Sequence, residues 1–320
     1  MTSVVTVGES RVLLDAPASG RLGAALPVRI GGAESNVAIG LARLGVDCTW
    51  VSRVGDDALG TFVTREIRAE GVRVLATRDA AAPTGLMVKE HRGGRPSRVR
   101  YSRAGSAASR LSPSDVDAVA DEIAAADVLH LTGITAALGP APLAAVERAM
   151  QVAREAGTPV SFDVNHRATL WPDEVAAPVL ARLAAAADLV FAGPEEAALV
   201  LGRPPVPPSF EEGEQLAREL AKRGPRTVVV KLGALGALAL SGDEAHRASA
   251  LAVAVLDPVG AGDAFVAGYL SEVVAGGPVP DALRTANACG AAVCGVPGDW
   301  EGLPTRAELA DVGGDQEIVR

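Results

Sequence analysis

Short apolar, β-branched runs alternate along the chain with longer stretches in which Ala and Leu recur at helical spacing. Residues 4–7, 49–54, 128–131 and 160–163 read as strands, and 34–44, 59–69 and 142–156 as helices. Further strand-like runs at 188–191, 227–231 and 237–240 extend the rhythm. Strands separated by helices predict an α/β fold, a doubly wound and mostly parallel sheet with helices on both faces, because parallel neighbours need crossovers and those crossovers cover the sheet. The punctuation agrees: helix 142–156 meets Gly157, and Pro159 stands just before the next strand.

Two segments break this rhythm. Residues 11–30 and 84–103 lack a helical period and carry turn residues at Ala18, Ser19 and Gly20 and from Gly93 to Pro96. They predict a small antiparallel sheet beside the main domain, a lid inserted into a single domain spanning 1–320; two surface loops are the alternative. The alternating Val12, Leu14, Leu22, Leu26, Val28, Leu86 and Val88 exceed what a thin sheet can bury, so the lid is also expected to pair copies of the chain into a homo-oligomer. Proline-rich 203–208 reads as a surface linker, and no internal repeat is visible.

Composition narrows the function classes. With 320 residues and 48% hydrophobic positions the chain has material for a full core, and its net charge of −9 disfavours nucleic acid and anionic membranes as partners. Against that field an anionic substrate needs local Arg or Lys. The first residues lack the basic end and apolar core of a signal peptide, and no apolar run reaches the ~20 residues of a bilayer span, so a cytoplasmic protein is expected. The three cysteines, Cys48, Cys289 and Cys294, show no metal-ligand spacing and read as free thiols.

The richest chemistry lies in Asp257-Pro258-Val259-Gly260-Ala261-Gly262-Asp263-Ala264-Phe265. Gly260, Ala261 and Gly262 let successive N–H groups point into one concavity at a helix start, which favours phosphate. Asp263 in that first turn could accept a proton; alternatively it is a cap on a tight turn. No G-x-x-x-x-G-K-[ST] occurs, and no G-x-G-x-x-G follows the first strand. Earlier, Gly31-Gly32-Ala33-Glu34-Ser35-Asn36 offers a close backbone approach and an amide, Asn36, suited to sugar hydroxyls.

Together the two stretches, in this order and separation, resemble the paired signatures of the ribokinase-like (PfkB-type) carbohydrate kinases over nearly the whole chain. The resemblance implies a doubly wound domain with a β-lid, Asp263 as catalytic base, and ATP and Mg²⁺ as cofactors, with a monovalent cation near Asp257. Lys231, Gly233 and Gly236 are similar to the strand-loop under the nucleotide phosphates, and Asn287 to the adenine wall; each could also be a packing contact. Glu196 falls where the family organises Mg²⁺ through water in an Asn-x-x-Glu motif, although Gly193 stands at its Asn position.

Tyr101-Ser102-Arg103, His130-Leu131-Thr132-Gly133 and Asp163-Val164-Asn165-His166-Arg167 are closer to the 2-keto-3-deoxygluconate kinases. That likeness implies Tyr101, Arg103 and Arg167 beside the substrate, where a carboxylate is best gripped by guanidinium groups. The implied reaction is ATP-dependent phosphorylation of 2-dehydro-3-deoxy-D-gluconate to its 6-phosphate. A fructokinase or ribokinase acting on a neutral sugar is the alternative, and a catalytically silent sugar-binding protein the rival from another class. With 3% aromatic residues, the stacking that nucleoside kinases use has little support.

Overall fold

The structure, a computed structural model, describes residues 2–15, 26–92 and 95–312. The turn expected around Ala18 to Gly20, Leu22, and Gly93 and Gly94 lie outside the described residues. Thirteen strands are present among the described residues: β1 (Ser3–Val7), β2 (Arg11–Asp15), β3 (Val28–Gly31), β4 (Asp47–Gly55), β5 (Arg73–Asp79), β6 (Leu86–Arg92), β7 (Arg95–Ser102), β8 (Val128–Thr132), β9 (Val160–Asp163), β10 (Leu189–Ala192), β11 (Thr227–Lys231), β12 (Ala237–Ser241) and β13 (Glu244–Ala248). Nine form one sheet in the order β13-β12-β11-β10-β9-β8-β1-β4-β5. From β11 to β5 every pairing is parallel; β12 and β13 add an antiparallel edge.

Burial on both faces explains the apolar runs. In β11, Val228 and Val230 enter the core on one side while Val229 enters the core on the other. The helix Pro140–Ala156 closes on Gly157, whose φ of 78° is the left-handed C-cap its sequence announced. From β1 the chain proceeds to β4 and β5 on one side, then returns to lay β8 to β11 on the other. The crevice beyond the carboxyl ends of β1 and β8 is therefore a topological switch point, where doubly wound sheets bind ligands.

The second sheet runs β3-β2-β6-β7. It is mixed, not antiparallel as the sequence suggested: β2 and β6 pair in parallel. Each follows a strand of the parallel sheet, β1 or β5, and leaves it in the same direction. Of the apolar side chains expected to need a partner there, Val12 is buried, Leu14, Leu26, Leu86 and Val88 are half-buried, and Val28 is exposed. All three cysteines are free; Cys48 and Cys289 are buried.

The helix Ala261–Val274 is locked onto the sheet by aromatic edges. Phe191 of β10 meets Tyr269 and Phe265 of that helix edge-on, with centroids 5.3 and 6.4 Å away. Truncating Phe191 leaves a cavity under the helix. Phe191→Ala is expected to cost about 3–5 kcal/mol in denaturant unfolding; a loss below about 1 kcal/mol would show that the helix does not depend on this contact.

Candidate active site

A cavity of about 930 Å³ opens at the switch point between the two sheets. Its floor is the start of the helix Ala261–Val274. Gly260 caps that helix at a φ of 80°, and a Cβ there would lie 1.7 Å from the carbonyl oxygen of Asp299, so no other residue fits the turn. The bend leaves the amides of Gly260, Gly262 and Asp263 without an acceptor among the described residues. Unpaired N–H groups at a helix start make an anion site.

Asp263 stands in that first turn and accepts a hydrogen bond of 2.7 Å from Asn36 Nδ2. The pairing follows from helix packing. Gly40 of the helix Ala33–Arg43 faces Ala267, where an added Cβ would come within 2.6 Å of the Ala267 Cβ. One turn back on each helix lie Asn36 and Asp263. The helix Ala33–Arg43 is in turn tied across the switch point, because Glu34 Oε1 accepts hydrogen bonds from Thr132 at 2.7 Å and Thr135 at 2.6 Å.

Burial pushes the Asp263 carboxyl from the usual 3.8 up to about 7, and the nearby Asp163 carboxylate adds to the rise. The Asn36 hydrogen bond, Arg167 and Lys231 work in the opposite direction. Lys231, the last residue of β11, sits on Asp163, the last residue of β9, with Nζ–O distances of 2.7 and 2.9 Å. Burial opposes the ammonium charge, but Asp163 and Glu196 more than offset it and raise the lysine above its ordinary value.

The opposite wall carries a second charged group. Glu9, wholly buried after β1, accepts Nη1 of Arg11 at 2.8 Å and Nη2 of Arg103. Both guanidinium groups also lie against the Tyr101 ring, 5.2 and 5.0 Å from its centroid. Burial favours a protonated Glu9, and the two arginines outweigh it, holding the carboxyl below its ordinary range. Two cations thus share one carboxylate, and the Nε–H of each arginine is buried without an acceptor among the described residues. Arg167 reaches the cavity from the loop after β9, exposed, with a 3.5 Å contact to the His166 carbonyl. In that loop Asn165 is buried at a φ of 38°, a strained conformation for a residue with a side chain.

Of the residues expected from sequence, Gly32, Asn36, Tyr101, Arg103, Arg167 and Asp263 line this cavity. Lys231, Gly233, Glu196, Gly260 and Gly262 do as well. Gly31 lies behind the wall, where a Cβ would meet Asp299 Oδ2 at 2.6 Å, and Ala261 is also off the lining. Gly236 and Asn287 sit elsewhere: Gly236 packs against the backbone at 248–250, and Asn287 Nδ2 donates to the carbonyls of Ala248 and Ser249 at 3.2 and 3.1 Å. Glu196 accepts the N–H of Gly193 at 2.7 Å and of His166 at 2.9 Å.

Arg11, Lys89 and Asp299 line the cavity and escaped the sequence reading. Arg11 ends a charged Glu-Ser-Arg step after an apolar strand, and Lys89 shares the inward face of β6 with Met87; both were detectable as cations at inward strand positions. The 203–208 segment is more than a linker, since Arg203, Pro205, Val206 and Pro208 form part of the wall.

A doubly wound sheet with an anion-receiving helix start, a carboxylate beside it and cations around the crevice is the arrangement of a phosphoryl-transfer enzyme of the ribokinase-like class. The description "pfkB family carbohydrate kinase" matches residues 1–306. The chain is 38% identical to the 2-dehydro-3-deoxygluconokinase of Bacillus subtilis (strain 168) over 98% of this chain and 96% of that one. It superimposes on the 2-dehydro-3-deoxygluconokinase of Thermotoga maritima with a TM-score of 0.86, at 28% identity over 98% of each chain. A fructokinase double mutant of Vibrio cholerae O395, solved in its fructose-, ADP- and potassium-bound form, gives a TM-score of 0.83 at 28% identity over 98% of this chain and 99% of that one. The chain therefore belongs to the pfkB family of carbohydrate kinases. Among the described residues no helix is long and apolar enough to cross a membrane.

The surroundings of Asp263 make a direct prediction. Its carboxyl carbon, followed by NMR in the ligand-free protein, should titrate near pH 7. In Asn36→Ala the midpoint should move upward, because a hydrogen bond that favours the charged form is gone. A midpoint near 4 in the parent protein would contradict this picture.

Proposed function

We propose that the chain transfers the γ-phosphoryl group of ATP to the terminal hydroxyl of a sugar acid, 2-dehydro-3-deoxy-D-gluconate, giving the 6-phosphate and ADP. The observation that carries the acid is the Arg11–Arg103 pair on the cavity wall, two guanidinium groups sharing one carboxylate and each keeping a buried Nε–H to spare. A carboxylate entering the cavity would balance the surplus positive charge of this pair. A neutral sugar would leave the pair with Glu9 as its one carboxylate in direct contact. The names of the Bacillus subtilis and Thermotoga maritima relatives support the same substrate.

In this reading Asp263 takes the proton of the 6-hydroxyl, and Asn36 fixes its orientation through the 2.7 Å hydrogen bond. The amides of Gly260, Gly262 and Asp263 receive the charge that develops on the transferring group. Lys231 stands beside Gly262, whose added Cβ would be 3.8 Å from Nζ, and supplies a positive charge at the same place. Arg103 and Arg11 hold the carboxylate end, with Arg167 at the mouth. The small sheet, from which Tyr101 and Met87 reach the cavity, closes over the substrate and keeps water out.

Mg²⁺ bound with the nucleotide would supply positive charge that neutralises the phosphates. Among the described residues no group of three or more His, Cys, Asp or Glu could cage a metal. That fits an ion that keeps most of its water and leans on phosphates. Glu196 is the carboxylate suited to order those waters, since each of its oxygens accepts one backbone N–H and retains a second lone pair. A kinase of sugar metabolism draws on a pool of ATP, which supports the cytoplasm as the place where the chain works.

Two measurements test the proposal. Asp263→Asn should fold and lose about 10²–10⁴-fold in turnover. In the parent enzyme kcat/KM should climb with pH and level off above about 7, because the base works only after losing its proton; an Asn variant within a few-fold of the parent would refute the base. Arg103→Ala and Arg167→Ala should raise KM for the sugar acid and leave KM for ATP little changed. Faster turnover of fructose or ribose than of 2-dehydro-3-deoxygluconate at equal low concentration would refute the acid.

A further inference from the structure

Behind the phosphate-receiving bend lie two buried carboxylates, Asp257 and Asp299, exposed by only 2% and 4%. Both belong to the bend's own framework. Asp257 Oδ1 accepts the N–H of Val259 at 3.1 Å, and its Oδ2 accepts that of Gly298 at 3.4 Å. Asp299 supplies the carbonyl against which Gly260 turns. Two negative charges at this place would oppose the arrival of a phosphate.

The compensating charge comes from the other sheet. Lys89 of β6 is 1% exposed, and its Nζ donates to Asp257 Oδ2 and lies 3.4 Å from Asp299 Oδ1. A lysine buried to this degree costs a good deal to desolvate, and the carboxylate pair is what makes it tolerable. Sequence resemblance put a monovalent cation near Asp257, but the residues do not fit a free ion as well: the carboxylate already receives an ammonium and two amides. The same contact ties the small sheet to the bend, reinforced by Trp300 Nε1 donating to the Ile30 carbonyl at 3.1 Å and by the Arg29–Glu301 ion pair at 2.6 Å.

We propose that Lys89 is a built-in monovalent cation: its ammonium neutralises Asp257 and, with Arg11, offsets Asp299 behind the phosphate-binding amides, so that phosphoryl transfer in this enzyme needs no potassium or other free monovalent ion. Lys89 is thus a positioning residue, acting on the bend rather than on either substrate. The idea does not depend on which sugar is accepted.

The test compares potassium chloride with choline chloride at equal ionic strength, with ATP as its Tris salt and any acceptor that turns over. The parent enzyme should show the same kcat in both. Lys89→Ala, which removes the charge and opens a space, should fall by about a hundredfold in choline. Potassium, ammonium or ethylammonium should restore it saturably. Lys89→Met, which fills the space without a charge, should stay low in every salt. Melting temperatures supply a readout independent of turnover: that of Lys89→Ala should rise with potassium more than the parent's does. Several-fold potassium activation of the parent enzyme overturns the proposal. So does a Lys89→Ala variant that keeps the parental kcat in choline, or one that folds but that no cation restores. If neither variant folds, the response of the parent enzyme to potassium decides. If no acceptor turns over, the substrate reading fails and the melting arm alone tests Lys89.

Discussion

The contact between Gly40 and Ala267 governs the site, because two helices approach closely there and bring Asn36 against Asp263 one turn away. A side chain at position 40 would force the axes apart and break the hydrogen bond that opposes protonation of Asp263. Its approach is stabilised from both ends. Glu34 anchors the helix Ala33–Arg43 to Thr132, the last residue of β8, and to Thr135 just past it, and Phe191 holds the helix Ala261–Val274 to β10. The Asp263 carboxylate therefore takes its position from core packing rather than from a loop, which suits the role proposed for it, a base that must meet one hydroxyl in one orientation.

Charge balance around the cavity follows a single pattern. The chain carries a net charge of −9, yet the crevice is furnished with Arg11, Lys89, Arg103, Arg167 and Lys231. Most of these cations are held by a buried acid: Lys231 by Asp163, Lys89 by Asp257 and Asp299, and Arg11 and Arg103 by Glu9. The acids set the geometry and remove rotamer freedom before any substrate arrives. Only around Glu9 do cations outnumber the acid in direct contact with them, and that is the end assigned to the substrate carboxylate.

Much of this was legible in the sequence because it depends on local pattern. The parallel core was readable from apolar runs such as that of β10, which is parallel to both neighbours and whose burial on both faces leaves no alternation. The Gly260–Asp263 bend was readable because glycine spacing and a following apolar helix carry the same message wherever they occur. The small sheet was harder. Its parallel β2–β6 pairing joins residues 12–15 to 86–89, a long-range choice imposed by the direction in which β1 and β5 run. Lys89 and Asp299 were missed for a related reason: the ion pair that buries them joins residues far apart in the chain, 89 to 257 and 299, whereas Arg11 meets Glu9 only two residues away and was detectable from its inward strand position. Asn287, on an apolar helix, donates to the carbonyls of Ala248 and Ser249, a long-range backbone partner that the local pattern does not reveal.

One small molecule would thus meet two particular walls, one at each of its ends. A crystal structure with 2-dehydro-3-deoxy-D-gluconate bound tests that placement most directly. The predicted result is O6 within hydrogen-bond reach of Asp263, roughly 2.6–3.2 Å, and the carboxylate on the guanidinium groups of Arg103 and Arg11 beside Tyr101. A sugar acid bound with its carboxylate toward Asp263, or with O6 beyond the reach of that residue, would contradict the account.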